Sequence, residues 1–213
     1  MPNSPSSGTK SSPTKLVVAD KYPSLADLKT EFHRAEEFCS EVQNFVDKAG
    51  IPAINELRNV GHHLLRAMDD RGNITCQQEL NSAVSHARRA CYEASEAGIL
   101  TALQVIKKFK DDYSRIEIGD VVPNYSTSLA SATKALRLVE KGRQTRDNHV
   151  EDFDIRMGVF RGLRDFCDLL DVSRDEMNKR VTAQRTDARR FMLNTLLVIL
   201  GILVSIVALT LVK

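Results

Sequence analysis

From Ser24 to Leu170 the larger apolar residues recur three or four positions apart with polar residues between them, a period that predicts helices rather than strands. The first stripe runs through Leu25, Leu28, Phe32, Ala35, Cys39, Val42, Val46 and Ala49. Ser24 with Asp27 makes a capping pair at its start, and Gly50 closes it. Phe38 and Phe45 widen the stripe beyond a two-stranded seam, which predicts burial in a bundle. Pro52 then opens a second helix that runs to about Arg71, with Ile54, Leu57, Gly61, Leu64 and Met68 in step, Val60 and Leu65 beside them, and Gly72 as the stop. The short Gly50-Ile51-Pro52 link predicts an antiparallel hairpin of the first two helices.

A third helix starts at Thr75, with Gln78 as its capping-box partner, and carries Leu80, Val84, Ala87, Cys91, Ala94, Gly98, Val105, Phe109 and Ile116 on one stripe. Its middle is small (Ala87, Ala90, Ala94, Ala97, Gly98), so another helix can approach closely. No breaker precedes Gly119, so it reaches about 40 residues, roughly 60 Å. A turn follows through Gly119, Asp120 and Pro123.

The fourth region begins near Ser126 or Ser128 and carries Leu129, Ala132, Leu136 and Val139. From Lys141 to His149 there is no apolar residue, and Arg143 and Arg146 stand where the stripe should continue. Such a polar layer can fix register or partner choice. The stripe resumes at Val150, Phe153, Met157, Phe160, Cys167 and Leu170. One helix running through the layer is the expectation, because the segment has no proline and Gly142 alone costs only about 1 kcal/mol against alanine. The alternative is a break recapped by Asn148 with Glu151. Leu25, Phe32, Leu64, Phe109, Leu136 and Phe153 are the expected packing residues.

Beyond Asp171 the stripe thins to Val172, Met177, Val181 and Ala188, and Ser173 with Glu176 offers a fresh helix start. The pattern then changes completely. From Phe191 to Val212 the sequence is FMLNTLLVILGILVSIVALTLV, with no charge. At about 1.5 Å per residue it spans roughly 33 Å, enough for a hydrocarbon core of about 30 Å. The domain reading is therefore a Ser/Pro/Thr-rich disordered tail over 1–20, a cytosolic helical bundle over 21–171, a basic juxtamembrane helix over 172–190, and a single-pass transmembrane anchor over 191–212.

The flanking charges orient the anchor. Arg185, Arg189 and Arg190 precede it, behind Arg174, Lys179 and Arg180, and only Lys213 follows, so the positive-inside bias places the N-terminal part in the cytoplasm. The first residues have no signal-peptide h-region, and the arrangement is that of a tail-anchored protein. The overall expectation is an all-α chain: an elongated antiparallel helical bundle or coiled coil with a C-terminal transmembrane helix.

Composition adds exclusions. Thirty basic residues nearly cancel 28 acidic ones, for a net charge of +2, which argues against nucleic acid held by bulk charge. Cys39, Cys76, Cys91 and Cys167 form no C-x-x-C pair and have no histidine at zinc spacing; three of them lie on apolar stripes as small hydrophobes. His62 lies among Arg58, Arg66 and Asp69, and the pair His33–Glu37 lacks the partner motifs of a helical metal site. Phosphate-loop, dinucleotide, nucleophile-elbow and zincin motifs are absent, so neither catalysis, a cofactor nor a small-molecule substrate is expected.

Three features carry functional expectations. Gly201 and Ser205 form a small-x-x-x-small pair for association of transmembrane helices. Arg185, Arg189 and Arg190 suit lipid headgroups, and Arg143 and Arg146 form the polar layer. The layout superficially resembles that of membrane-fusion SNARE proteins. The residues do not support that family, because the stripe thins over about 20 residues before the span and Arg143 lies too far upstream for a central layer. The expected function is a non-enzymatic membrane-bound scaffold or tether, with the bilayer and either further copies of itself or a helical protein as partners. The alternative is a membrane-active effector whose assembled spans perturb the bilayer.

Overall fold

The chain is all-helical. The computed structural model describes residues 22–46, 50–144 and 153–211. Five helices pack together: α1 (Leu25–Phe45), α2 (Ile51–Ala67), α3 (Gln77–Asp112), α4 (Tyr125–Gln144) and α5 (Phe153–Leu211), with one 3-10 turn at Ile118–Asp120. Among the described residues there is no strand, only an isolated bridge between Met68 and Ile74. The expected tail over 1–20 lies outside the described residues.

α1 begins as its sequence predicts. The Asp27 N–H donates to the Ser24 hydroxyl at 3.2 Å, and the Ser24 N–H donates to the Asp27 carboxylate at 2.7 Å. Two of the four N–H groups left orphaned at a helix start are thereby satisfied. Leu28, Ala35, Phe38 and Val42 are buried, whereas Leu25 in the first turn is 48% exposed and is not a packing residue.

α2 stops at Ala67, short of Arg71, because Asp69 offers the backbone a competing arrangement. Its Oδ1 accepts the N–H groups of Arg71 at 3.0 Å and Asn73 at 2.8 Å, and Gly72 turns the chain at φ 82°, a conformation that favours glycine. The expected Thr75–Gln78 capping box does not form. The N–H groups of Thr75 and Cys76 both donate to the Ala67 carbonyl, at 2.8 and 3.2 Å, and α3 starts after Cys76 without a side-chain cap.

α3 has 36 residues, about 54 Å, and contacts each of the other four helices. Of its small middle, Ala87, Ala90, Ala94 and Gly98 are buried and Ala97 is half-buried, with Ala83 and Ala102 buried on either side. A Cβ at Gly98 would sit 2.6 Å from the Phe160 ring, so that ring occupies the space a side chain would need. The helix ends at Asp112 rather than near Gly119. Tyr113 leaves the helical conformation there, and its hydroxyl donates to Asn178 Oδ1 at 2.9 Å.

The segment from Ser126 to Leu170 is not one helix. Tyr125 lies 6.1 Å from Phe166 between ring centroids, and Arg156 Nη2 donates to the Leu138 carbonyl at 3.1 Å. In a single straight helix Tyr125 and Phe166 would be about 60 Å apart. α4 and α5 are therefore two helices packed side by side, with Gly142 still inside α4; residues 145–152, with the Asn148–Glu151 recapping alternative, lie outside the described residues. On α4 the buried residues are Ala132, Ala135, Val139 and Gly142, and Leu136 is 41% exposed. Alanines at the contact bring α4 close and rotate the longer leucine outward. Ser173 likewise starts no new helix; its hydroxyl donates to the Leu169 carbonyl at 2.8 Å inside an unbroken α5.

Two apolar clusters hold the helices. The smaller joins Leu28, Val60, Ala67, Leu80, Val84 and Ala87 from α1, α2 and α3, with Phe32 and Leu64 packed on it. The larger centres on Phe38, Ile99, Phe109, Phe160, Leu170 and Met177. Phe38 meets Phe153 and Phe160 edge-on at 5.5 and 5.8 Å, a favoured arrangement for aromatic pairs.

Candidate functional site

α5 positions the candidate transmembrane and headgroup residues. It has 59 residues, about 88 Å, and its surroundings change along its length. Up to Met177 it buries Phe153, Phe160, Leu163, Phe166, Cys167 and Leu170 in the larger cluster. Beyond Val181 every side chain described, as far as Ser205, is exposed. This helix is long and apolar enough to cross a membrane: its most apolar window has a mean hydropathy of 1.6, and none of that window is buried. Phe191, Met192, Leu193, Leu196, Leu197, Val198, Ile199 and Leu200 face outward in all directions. So wide an apolar surface is unfavourable in water and matches hydrocarbon.

Two of the polar groups there bond within the helix. Thr195 Oγ1 donates to the Phe191 carbonyl at 2.9 Å, and Ser205 Oγ donates to the Gly201 carbonyl at 2.8 Å. Gly201 and Ser205 thus lie one turn apart on one face, and nothing stands within 4 Å of where a Gly201 Cβ would be. Arg185, Arg189 and Arg190 are exposed just before this segment. Arg185 borders a cavity of about 540 Å³ with Asp111, Tyr113, Arg115 and Gln184 at the end of α3. Arg143 stands in the last turn of α4 with its side chain outside the described residues, and Arg146 lies outside them altogether.

Among the described residues the buried cation is Arg156, which is 1% exposed. Its guanidinium carbon lies 4.2 Å from the centroid of the Tyr92 ring, and Nη2 reaches the Leu138 carbonyl and, at 3.5 Å, the Tyr92 hydroxyl. Nε and Nη1 have no hydrogen-bond partner among the described residues. Gly142 makes the room: a Cβ there would fall 1.9 Å from Nη2. A signal for this was present in the sequence. Phe153, Arg156, Phe160, Leu163, Cys167 and Leu170 alternate three and four, so Arg156 sits on the heptad stripe, where the apolar neighbour Met157 was the more obvious choice.

Ion pairs fasten α5 to the bundle. Glu41 on α1 accepts from Arg161 at 2.7 Å and from Arg164 at 2.6 Å. The hydrogen bond from Arg161 holds the Glu41 carboxyl below the usual carboxylate range against the opposing effect of burial. Farther along, Arg174 pairs with Asp112 at 3.5 Å and Arg180 with Asp120 at 3.3 Å.

A second cluster, between α2 and α3, escaped sequence reasoning because it depends on their register. The His63 and His86 rings stack at 4.9 Å. His63 Nδ1 contacts Glu79 at 2.6 Å, His86 contacts Glu56, and Arg66 adds a 2.9 Å pair to Glu79. The hydrogen bond with His63 lowers the Glu79 pKa. His33 meets Glu36 at 3.5 Å rather than Glu37. Among the described residues no group of three or more potential ligands is placed to hold a metal. Burial pushes the Cys39 thiol up to about 11 and those of Cys91 and Cys167 up to about 12, far from a reactive thiolate.

No family model matches the chain, and none of the curated proteins or solved structures compared with it gives a match.

Proposed function

We propose that this protein is a membrane-anchored scaffold or tether that works without catalysis. Its elongated antiparallel bundle stands on the cytoplasmic side and α5 crosses the bilayer once. The observation that carries this reading is the continuity of α5 from the buried stripe ending at Met177 to the exposed apolar length beyond Phe191. A helix without a joint passes position and orientation from the membrane to the bundle, as a tether requires. Arg185, Arg189 and Arg190 would lie at the headgroups, where each basic residue contributes about 1 kcal/mol with anionic lipid. Gly201 and Ser205 would let two spans touch in a homo-oligomer, or meet the span of a helical protein partner.

The test reconstitutes the full chain and its Gly201→Leu variant in dye-loaded vesicles, then reads crosslinked oligomers and dye release. A tether gives oligomers that Gly201→Leu depletes and no dye release from either chain. Dye release by the original chain that Gly201→Leu abolishes would replace the tether with the membrane-active effector.

A further inference from the structure

All three side-chain atoms that are buried without a hydrogen-bond partner among the described residues lie against one helix, α4: the Tyr125 hydroxyl in its first turn, and Nε and Nη1 of Arg156, whose Nη2 reaches the Leu138 carbonyl. Apolar attachment of this helix is correspondingly slight. Among its described residues it buries only Ala132, Ala135, Val139 and Gly142, packs Tyr125 and Leu129 in part, turns Leu136 outward, and leaves a groove of about 460 Å³ against α5 between Ser128, Ser131, Gly158 and Gly162. α3, by contrast, buries Leu80, Tyr92, Ile99, Ile106 and Phe109.

We propose that α4 is a releasable strap: it leaves the bundle as a unit while α1, α2, α3 and the first half of α5 stay packed. Lifting α4 returns the Tyr125 hydroxyl and the Arg156 guanidinium to water, so the donors unmatched in the closed state gain partners in the open one. It also uncovers Phe166, on which the Tyr125 ring rests, and opens the groove along Leu163. Small contacts, imperfect polar satisfaction at both ends and a groove behind the helix all bias the same equilibrium. Such a two-state element is what a second binding event needs in order to act on a bundle.

Hydrogen exchange by mass spectrometry on the full chain in detergent micelles tests this. Peptides from 125–144 should exchange on the order of 100-fold faster than those from 84–106, and as one cooperative unit. Tyr125→Phe, which removes an unpartnered hydroxyl and nothing else, should slow exchange in α4 about fivefold to tenfold and leave α3 unchanged. Arg156→Met, of similar length and apolar, should act in the same direction. Equal protection of α3 and α4 would overturn the proposal, as would exchange in α4 that Tyr125→Phe leaves unchanged or accelerates.

Discussion

The two halves of α5 have the same backbone and opposite logic. The first half is a conventional amphipathic helix: Phe160, Leu163, Cys167 and Leu170 face the bundle, while Ile155 and Val172 on the far side are exposed. The second half has no inward face, since apolar side chains surround it. The first half gains stability by filling specific space, such as the hollow at Gly98 that the Phe160 ring occupies. The second half fills no such space; its apolar surface suits a hydrocarbon solvent, a match that would be indifferent to the exact side chain. Hydrophobicity therefore has two meanings within one helix, and only the first depends on shape.

That contrast breaks most visibly under truncation. Phe160→Ala removes a buried ring and leaves a cavity, for a cost of about 3–5 kcal/mol. Leu197→Ala removes side-chain bulk that touches no other element and should leave the bundle within about 0.5 kcal/mol. Chemical unfolding of the full chain in micelles, followed by circular dichroism, measures both; equal costs would dissolve the distinction.

A smaller effect concerns the ion pairs that only the bundle half makes. The folded Glu41 carboxyl is held below its ordinary value, so its contribution is complete above the unfolded glutamate range and is lost as pH falls through the folded value. Glu41→Gln should cost about 0.5–1 kcal/mol at neutral pH, modest because Arg161 and Arg164 are part-exposed, and should flatten the loss of stability between the two pKa values in acid. A stability difference from the parent chain that is unchanged across that acid range would remove the pair from the attachment of α5.

The smallest perturbation is chemical. With burial raising them to about 12, Cys91 and Cys167 should resist thiol reagents near neutral pH until the bundle unfolds. Labelling of either in the native chain at the rate of an exposed thiol would mean that the bundle half is more open than its packing implies.

Much of this fold was legible where local chemistry decides it. The Ser24–Asp27 cap, the small central face of α3 and the length of the apolar span depend on near neighbours, and they stand as the sequence predicts. What failed depended on partners distant in sequence. Gln78 found no role in a cap because the Ala67 carbonyl took the N–H groups at the start of α3. Leu136 pattern-matched as core, yet Ala132 and Ala135 set the approach of α4. The side-by-side packing of α4 and α5 shows itself only once Tyr125 meets Phe166. Among site residues, Gly201 and Ser205 lie one turn apart and Arg185, Arg189 and Arg190 are exposed ahead of them, positions that follow from helical spacing alone, while the roles given to them are proposals. Arg156 was passed over because an isolated charge on an apolar stripe reads as an interruption, and the His63–His86 stack exists only through the register of α2 on α3.

The most direct test of the change in surroundings along α5 is a nitroxide scan of the full chain in lipid vesicles, one label at a time from 160 to 205, reading collision with oxygen and with a water-soluble nickel chelate. A bundle half continuing into a bilayer-crossing half predicts accessibility that oscillates with the helical period up to about Val181. From Phe191 to Ser205 oxygen collision should then be uniformly high and nickel collision uniformly low. Nickel access throughout 191–205, or a helical oscillation there that marks a buried protein face, would contradict it.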